Sequence, residues 1–303
     1  MATTRSRPSR KSSGSRRTTY RRPARRPVDP VAHSLPGTSL HELALLIGEA
    51  SRGLSPNRKA NDDRLHLRNP LEVAEEQKER LASAGATVQQ RVAARIAPNL
   101  AAPRLLPLDV VSMVTGIALA ATGRYWAVPV AAYGVVALVH NSLARRRYQR
   151  SLLQALDEYI EPDLRLIRSD RIRAEGIAAR FSKTGDLEFL SGEEAPTGIQ
   201  MPLGERVLLG AGSVLRARDD GSGLVREAQG KLLVTTARLL FSSHDGLTEM
   251  DLDRVVRADV VDELRLVVIP SKRETAPIYI ALGNAHALAT TINLARKVVS
   301  ARA

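Results

Sequence analysis

Residues 105–122 read LLPLDVVSMVTGIALAAT and residues 125–144 read YWAVPVAAYGVVALVHNSLA. From Val110 to Ala144 the only charged side chain is Arg124, although charged residues make up 25% of the chain. A stretch of that length would ordinarily hold about nine. Two apolar arms joined at Gly123-Arg124 predict a helical hairpin. A bilayer core of about 30 Å takes about 20 apolar helical residues, with about 17 as the lower limit. Both arms reach that limit. Tyr125 and Trp126 stand at the turn, where interfacial aromatics are common. Arg104 flanks one base of the hairpin, and Arg145, Arg146, Arg147 and Arg150 flank the other. Cytoplasmic loops carry the excess of Lys and Arg, so this pattern puts both termini on the cytoplasmic side of the cell membrane. Arg104, Trp126, Arg145, Arg146 and Arg147 are the expected membrane-interface residues. Gly116, Ala120, Ala131, Gly134 and Ala137 offer small faces for close helix packing. The competing reading is a buried hairpin in a soluble, cytoplasmic bundle or a homo-oligomer. It rests on the weak apolarity of Ala and Gly and on Pro107, Pro129, His140 and Asn141 within the arms.

Toward the N-terminus the composition reverses. Arg5, Arg7, Arg10, Lys11, Arg16, Arg17, Arg21, Arg22, Arg25 and Arg26 are the ten basic residues of the first 27, and no acidic residue accompanies them. They supply most of the net charge of +13. Residues 1–37 hold too little apolar surface to offset ordering entropy, so they are expected to be disordered. The ten basic side chains are expected to bind polyanions, either an anionic membrane surface or nucleic acid. No apolar run follows the basic start, so no secretory signal is expected. Ser39 then reads as the N-cap of a short helix ending near Gly53. A polar linker runs over 55–69, and Pro70 opens a second helix whose apolar spacing continues to Ile96.

Beyond the hairpin, Leu152, Leu153, Leu156, Tyr159 and Ile160 carry a helix to Glu161-Pro162. A further helix has Leu164, Ile167, Ala174, Ile177 and Phe181 on one face. From Gly204 the period becomes strand-like over 207–217, 231–243, 248–259, 263–269 and 277–282. Turn signals separate these runs at residues 219–223 and at Asp245-Gly246. An amphipathic helix closes the chain over 284–301.

Within this region residues 230–241 read GKLLVTTARLLF. The run resembles the strand-turn-strand signature of GRAM and bacterial PH-like domains, G-x-L-x-x-T-x-x-R-L-x-F. Gly204-Glu205 and residues 249–256 (EMDLDRVV) fit the same pattern. The resemblance covers about residues 203–301, one third of the chain. It implies a partly open antiparallel barrel capped by a helix, and a module that binds a protein or a lipid headgroup. One departure is a Gly- and Asp-rich first loop without the basic cluster of phosphoinositide-binding PH domains. Arg216 and Arg218 are the candidate headgroup contacts, with Asp219 and Asp220 beside them. Arg238 reads as a structural tether.

The fold class is therefore α+β. Its parts are a disordered Arg-rich tail (1–37), a helical segment (38–104), the apolar hairpin (105–144), a helical stalk (145–182), a linker (183–202) and a PH/GRAM-like domain (203–303). The chain has no cysteine, and its six histidines are scattered without a metal-binding spacing. Gly210-Ala211-Gly212 lacks the third glycine of a dinucleotide fingerprint, Leu215 standing in its place. No phosphate loop or nucleophile elbow occurs. Catalytic, cofactor-binding and metal residues are accordingly none. The expected function is a non-enzymatic membrane-associated adaptor or scaffold. The alternative is a soluble oligomeric assembly protein that binds nucleic acid through its tail.

Overall fold

The computed structural model describes residues 34–52, 64–100, 107–122, 128–190 and 199–302, except Ser222 and Arg273. The chain is α+β. Helices α1 (Ser39–Arg52), α2 (Pro70–Ser83), α3 (Ala86–Ile96), α4 (Pro107–Ala121) and α5 (Val128–Thr184) precede the sheet, and the two-residue strand β1 (Arg64–Leu65) lies between α1 and α2. The sheet strands are β2 (Val207–Asp219), β3 (Leu224–Thr235), β4 (Arg238–Ser243), β5 (Gly246–Asp251), β6 (Val255–Val261), β7 (Arg265–Pro270) and β8 (Ile278–Ile280). Helix α6 (Ala285–Arg302) ends the chain.

Helix α5 organises the molecule. Its 57 residues extend for about 85 Å. The sequence reading ends a helix at Pro162, yet the helix runs through it. An interior proline costs about 3 kcal/mol. Here burial outweighs that cost: Leu156, Ile160, Leu164 and Ile167, on both sides of the proline, are all buried. Helices α1, α2 and α3 pack on the middle of α5, where Leu43, Ile47, Leu81 and Val92 meet Leu152, Leu156 and Ile160.

Local chemistry moved several boundaries. The cap of α1 is Thr38, not Ser39: its hydroxyl accepts from His41 N–H at 3.2 Å and its carbonyl from Glu42 N–H at 3.1 Å. Asn69 caps α2 through Leu71 N–H at 3.0 Å, with Pro70 at the first helical position. The apolar period over 70–96 breaks at Ala84-Gly85 into two helices. The buried Gln89 amide then donates to Leu81 O at 3.1 Å. Within the segment read as a polar linker, β1 pairs with the start of β3, and Leu67 is buried. Residues 34–37, read as part of the disordered tail, are ordered, and Leu35 packs on the sheet cluster around Leu215 and Ile280.

The C-terminal third is an antiparallel sheet in the order β5-β4-β3-β2-β8-β7-β6, with β1 added to β3. Its interior holds Leu209, Leu232, Val234, Leu239, Phe241, Leu266 and Val268. Helix α6 closes it with Leu288, Ile292 and Ala295. Gly230 stands where no side chain fits: a Cβ there would lie 2.0 Å from Ser242 O.

The hairpin arms pack on each other as α4 and the first turns of α5. Helix α4 has 15 residues, about 22 Å against a core of about 30 Å. On α5 the apolar run is cut by His140, Asn141 and then Arg145. Among the described residues no helix is long and apolar enough to cross a membrane. The transmembrane expectation is corrected to this extent: the described residues form the hairpin but no full-length span.

Candidate functional site

Two features of the structure bear on function: the surface of the hairpin and the junction that joins α5 to the sheet. In the hairpin, Gly116 of α4 and Gly134 of α5 are buried at the seam. Glycine there lets the backbones approach. Val111, Val114 and Ile117 on α4 are exposed, as are Val128, Val130, Val135, Val139 and Leu143 on α5. Tyr133 is 63% and Val136 66% exposed. A soluble helix turns its apolar stripe to a core. Among its described side chains this pair does the reverse, with glycine at the seam and large aliphatic residues outside.

Arg145, Arg146, Arg147 and Arg150 follow the apolar section directly and are exposed. Between Val110 and Leu156 the sequence has no acidic residue, so this band is purely basic. Arg104, Trp126 and the ten basic residues of the tail lie outside the described residues.

The junction is built by two carboxylates of α5 that sequence reading passed over. Asp163 accepts from Leu40 N–H at 3.3 Å at the start of α1. Asp170, 2% exposed, accepts from His286 N–H at 2.8 Å and Ala287 N–H at 3.0 Å at the start of α6. One helix thus caps two others. Burial pushes both carboxyls above the ordinary Asp range, against the pull of the backbone N–H groups. Beside Asp170, Arg171 makes a bidentate pair with Glu263, which also meets His286 Nε2 at 2.9 Å. Arg171 holds the Glu263 carboxyl below its usual range. Asp262 and Glu263 both adopt left-handed backbone, with φ of 51° and 63°, in the turn from β6 to β7. The signal in the sequence was the spacing: Asp163 and Asp170 are seven apart and fall on the apolar stripe of Ile160, Ile167, Ala174 and Ile177.

The motif residues of 230–241 are used internally. The Thr235 hydroxyl accepts from Ala237 N–H at 3.2 Å and Arg238 N–H at 2.9 Å, and donates to Glu205 at 2.5 Å. Arg238 pairs with Glu205 at 3.0 Å and with Glu249. Arg216 pairs with Glu227 at 3.1 Å and donates to Thr248 Oγ1 at 2.9 Å, while Arg218 lies 3.7 Å from Glu227. A headgroup on this face must compete with Glu227. Among the described residues no group of three or more acidic or imidazole side chains is placed to hold a metal ion. Both oxygens of Asp170 are taken by backbone N–H groups, so its carboxylate holds the start of α6.

Compared with models of known protein families and with curated protein sequences, the chain matches none.

Proposed function

We propose that the protein is a non-enzymatic, membrane-associated adaptor. The observation that carries this reading is the hairpin, whose exposed face is aliphatic on both helices and which nothing else in the described chain covers. Burying such residues from water is worth about 25 cal/mol per Å² of apolar area. An acyl-chain environment supplies that burial. The adjoining Arg145, Arg146, Arg147 and Arg150 meet anionic headgroups, and the Arg-rich tail adds a second attachment. Depth is set by the hairpin's length, and the attachment does not require a full crossing.

The C-terminal domain is the module that receives a partner. Its seven-strand antiparallel path and closing helix agree with the resemblance to PH-like domains, and that fold serves as a scaffold for protein or lipid contacts. The engaged state of Arg216 and Arg218 favours a protein partner over a phosphorylated headgroup.

The test is flotation of the full chain with vesicles of neutral and anionic phospholipid, washed in high salt and then in alkaline carbonate. Retention through both washes, and loss of flotation in a Val136→Glu, Val139→Glu double variant, is the expected result. Release by salt alone would overturn the reading. It would leave the tail as the sole polyanion contact, and DNA binding by an oligomer would become the function to test.

A further inference from the structure

The two edges of the sheet differ. On β6 the outward groups of Ala258 are both taken by the Asn293 side chain of α6, at 2.8 Å each. Arg296 covers Val256 O. The first residues of β3 are covered by β1, which comes from a distant part of the chain. The β5 edge has no such cover. Leu252 N–H bonds Ala237 O at 2.9 Å, and Gly246 pairs with Ser243 across a two-residue turn. Even-numbered residues therefore face β4, because hydrogen-bonded pairs alternate along an antiparallel ladder. The N–H and C=O groups of Leu247, Glu249 and Asp251 point away from the sheet. Among the described residues nothing pairs with them. Five of the six β5 residues are exposed.

An open edge of this kind is a template for another strand. Its charge selects the strand. Asp245, Glu249, Asp251 and Asp253 line it, against Arg238 and Arg254, which pair with Glu249 and Asp251. The strip stays net acidic, so two copies of β5 repel each other. A basic, proline-free segment with strand-forming residues fits. Residues 16–22, RRTTYRR, are such a segment within the Arg-rich tail: Thr18, Thr19 and Tyr20 favour strands, two arginines flank each side, and Pro23 ends the run. The tail reaches the edge. Twelve residues from Arg22 to Ser34 extend up to about 40 Å. Leu35 packs beside Leu215, and from Val214 the register runs through Gly230 and Ser243 to Gly246, about 15 Å across three strand spacings.

We infer that β5 is a docking edge for this chain's own residues 16–22, added as an extra strand and held by acidic side chains of the edge. The docked tail is withheld from polyanions, and an anionic surface competes for it. This goes beyond the membrane reading and does not depend on it.

The test is hydrogen exchange of residues 246–251 at low salt and without lipid. It compares the full chain, a chain lacking residues 1–27, and the R16E, R17E, R21E, R22E variant, which leaves every described residue unchanged. Outward amides of an uncovered edge exchange fast, so docking is expected to slow them by about tenfold or more in the full chain only. Equal exchange in all three proteins would overturn the inference. Protection that rises with protein concentration would also overturn it, since the strand would then come from a second copy.

Discussion

Removal of the Asp170 carboxylate should separate α6 from α5 with a cost that can be worked from its two bonds. Asp170→Ala removes the acceptor for His286 N–H and Ala287 N–H together. Loss of a helix cap costs about 1 kcal/mol. Each N–H left unsatisfied in a buried place costs about 1–3 kcal/mol more. With two such N–H groups, the expected destabilisation is about 3 kcal/mol or more. Asp170→Asn keeps one acceptor oxygen, loses the other and removes a buried charge, so it should cost less than Asp170→Ala at neutral pH. The pH dependence has a definite sign. Burial raises the Asp170 carboxyl, so the folded chain binds its proton more tightly than the unfolded chain does. Its contribution is therefore greatest below the unfolded carboxylate range and falls as pH rises through the folded value. The advantage of the native protein over Asp170→Ala should grow from about pH 7 to about pH 4. Urea unfolding followed by circular dichroism, run as a pH series on the three proteins, gives these numbers. An Asn variant as unstable as the Ala variant would refute the capping argument, and a gap that shrinks on acidification would refute the dominance of burial over the backbone N–H groups.

Glu263 should behave in the opposite sense. Arg171 lowers its carboxyl, so its stabilisation is present above the unfolded Glu range and is lost as pH falls through the lowered folded value; Glu263→Gln should flatten that loss in the same urea series. Gly230→Ala sets a Cβ against backbone at Ser242, which cannot rotate away, so the thermal midpoint should fall by an amount equivalent to about 2 kcal/mol or more. Arg238→Ala leaves Glu205, whose side chain is 5% exposed, without its charge partner. The expected cost is about 3 kcal/mol by denaturant unfolding, and Arg238→Lys should restore only part of it because lysine lacks the guanidinium fork whose separate nitrogens meet Glu205 and Glu249.

Composition disclosed the elements better than it disclosed their joints. The hairpin was legible because a long stretch without charge has few other uses. The strands were legible from turn residues and from the apolar alternation around Leu232, Val234, Leu239 and Phe241. Pro162 misled because local propensity ends a helix there, while the packing that carries α5 through it comes from α1, Leu81 of α2 and Val92 of α3. The strand β1 was invisible for the same reason: two residues, Arg64 and Leu65, have no period, and only the free start of β3 makes them a strand. Asp163 and Asp170 fall on the apolar stripe of α5, which marks them as buried but not as caps. Their role depends on the N-termini of α1 and α6 arriving beside them, which no local window contains.

Those two aspartates also bear on how an adaptor of this shape would act. A domain on a flexible linker samples every orientation relative to its anchor. Here the hairpin and the C-terminal domain hang on the same helix, and Asp170 caps α6 from within it. In the proposed reading, the headgroup level lies near Arg145, and Asp170 follows 25 residues later, about 38 Å along the axis. Gly283 tightens the link, since its φ of 70° brings the turn before α6 against Leu166, where an added Cβ would meet the Leu166 Cβ at 2.8 Å. The sheet is therefore held at a fixed height and in a fixed rotation above the hairpin. What such a rod adds to binding is geometry: partners gathered by neighbouring copies would sit at one distance from the surface, with the β5 edge of each copy turned the same way.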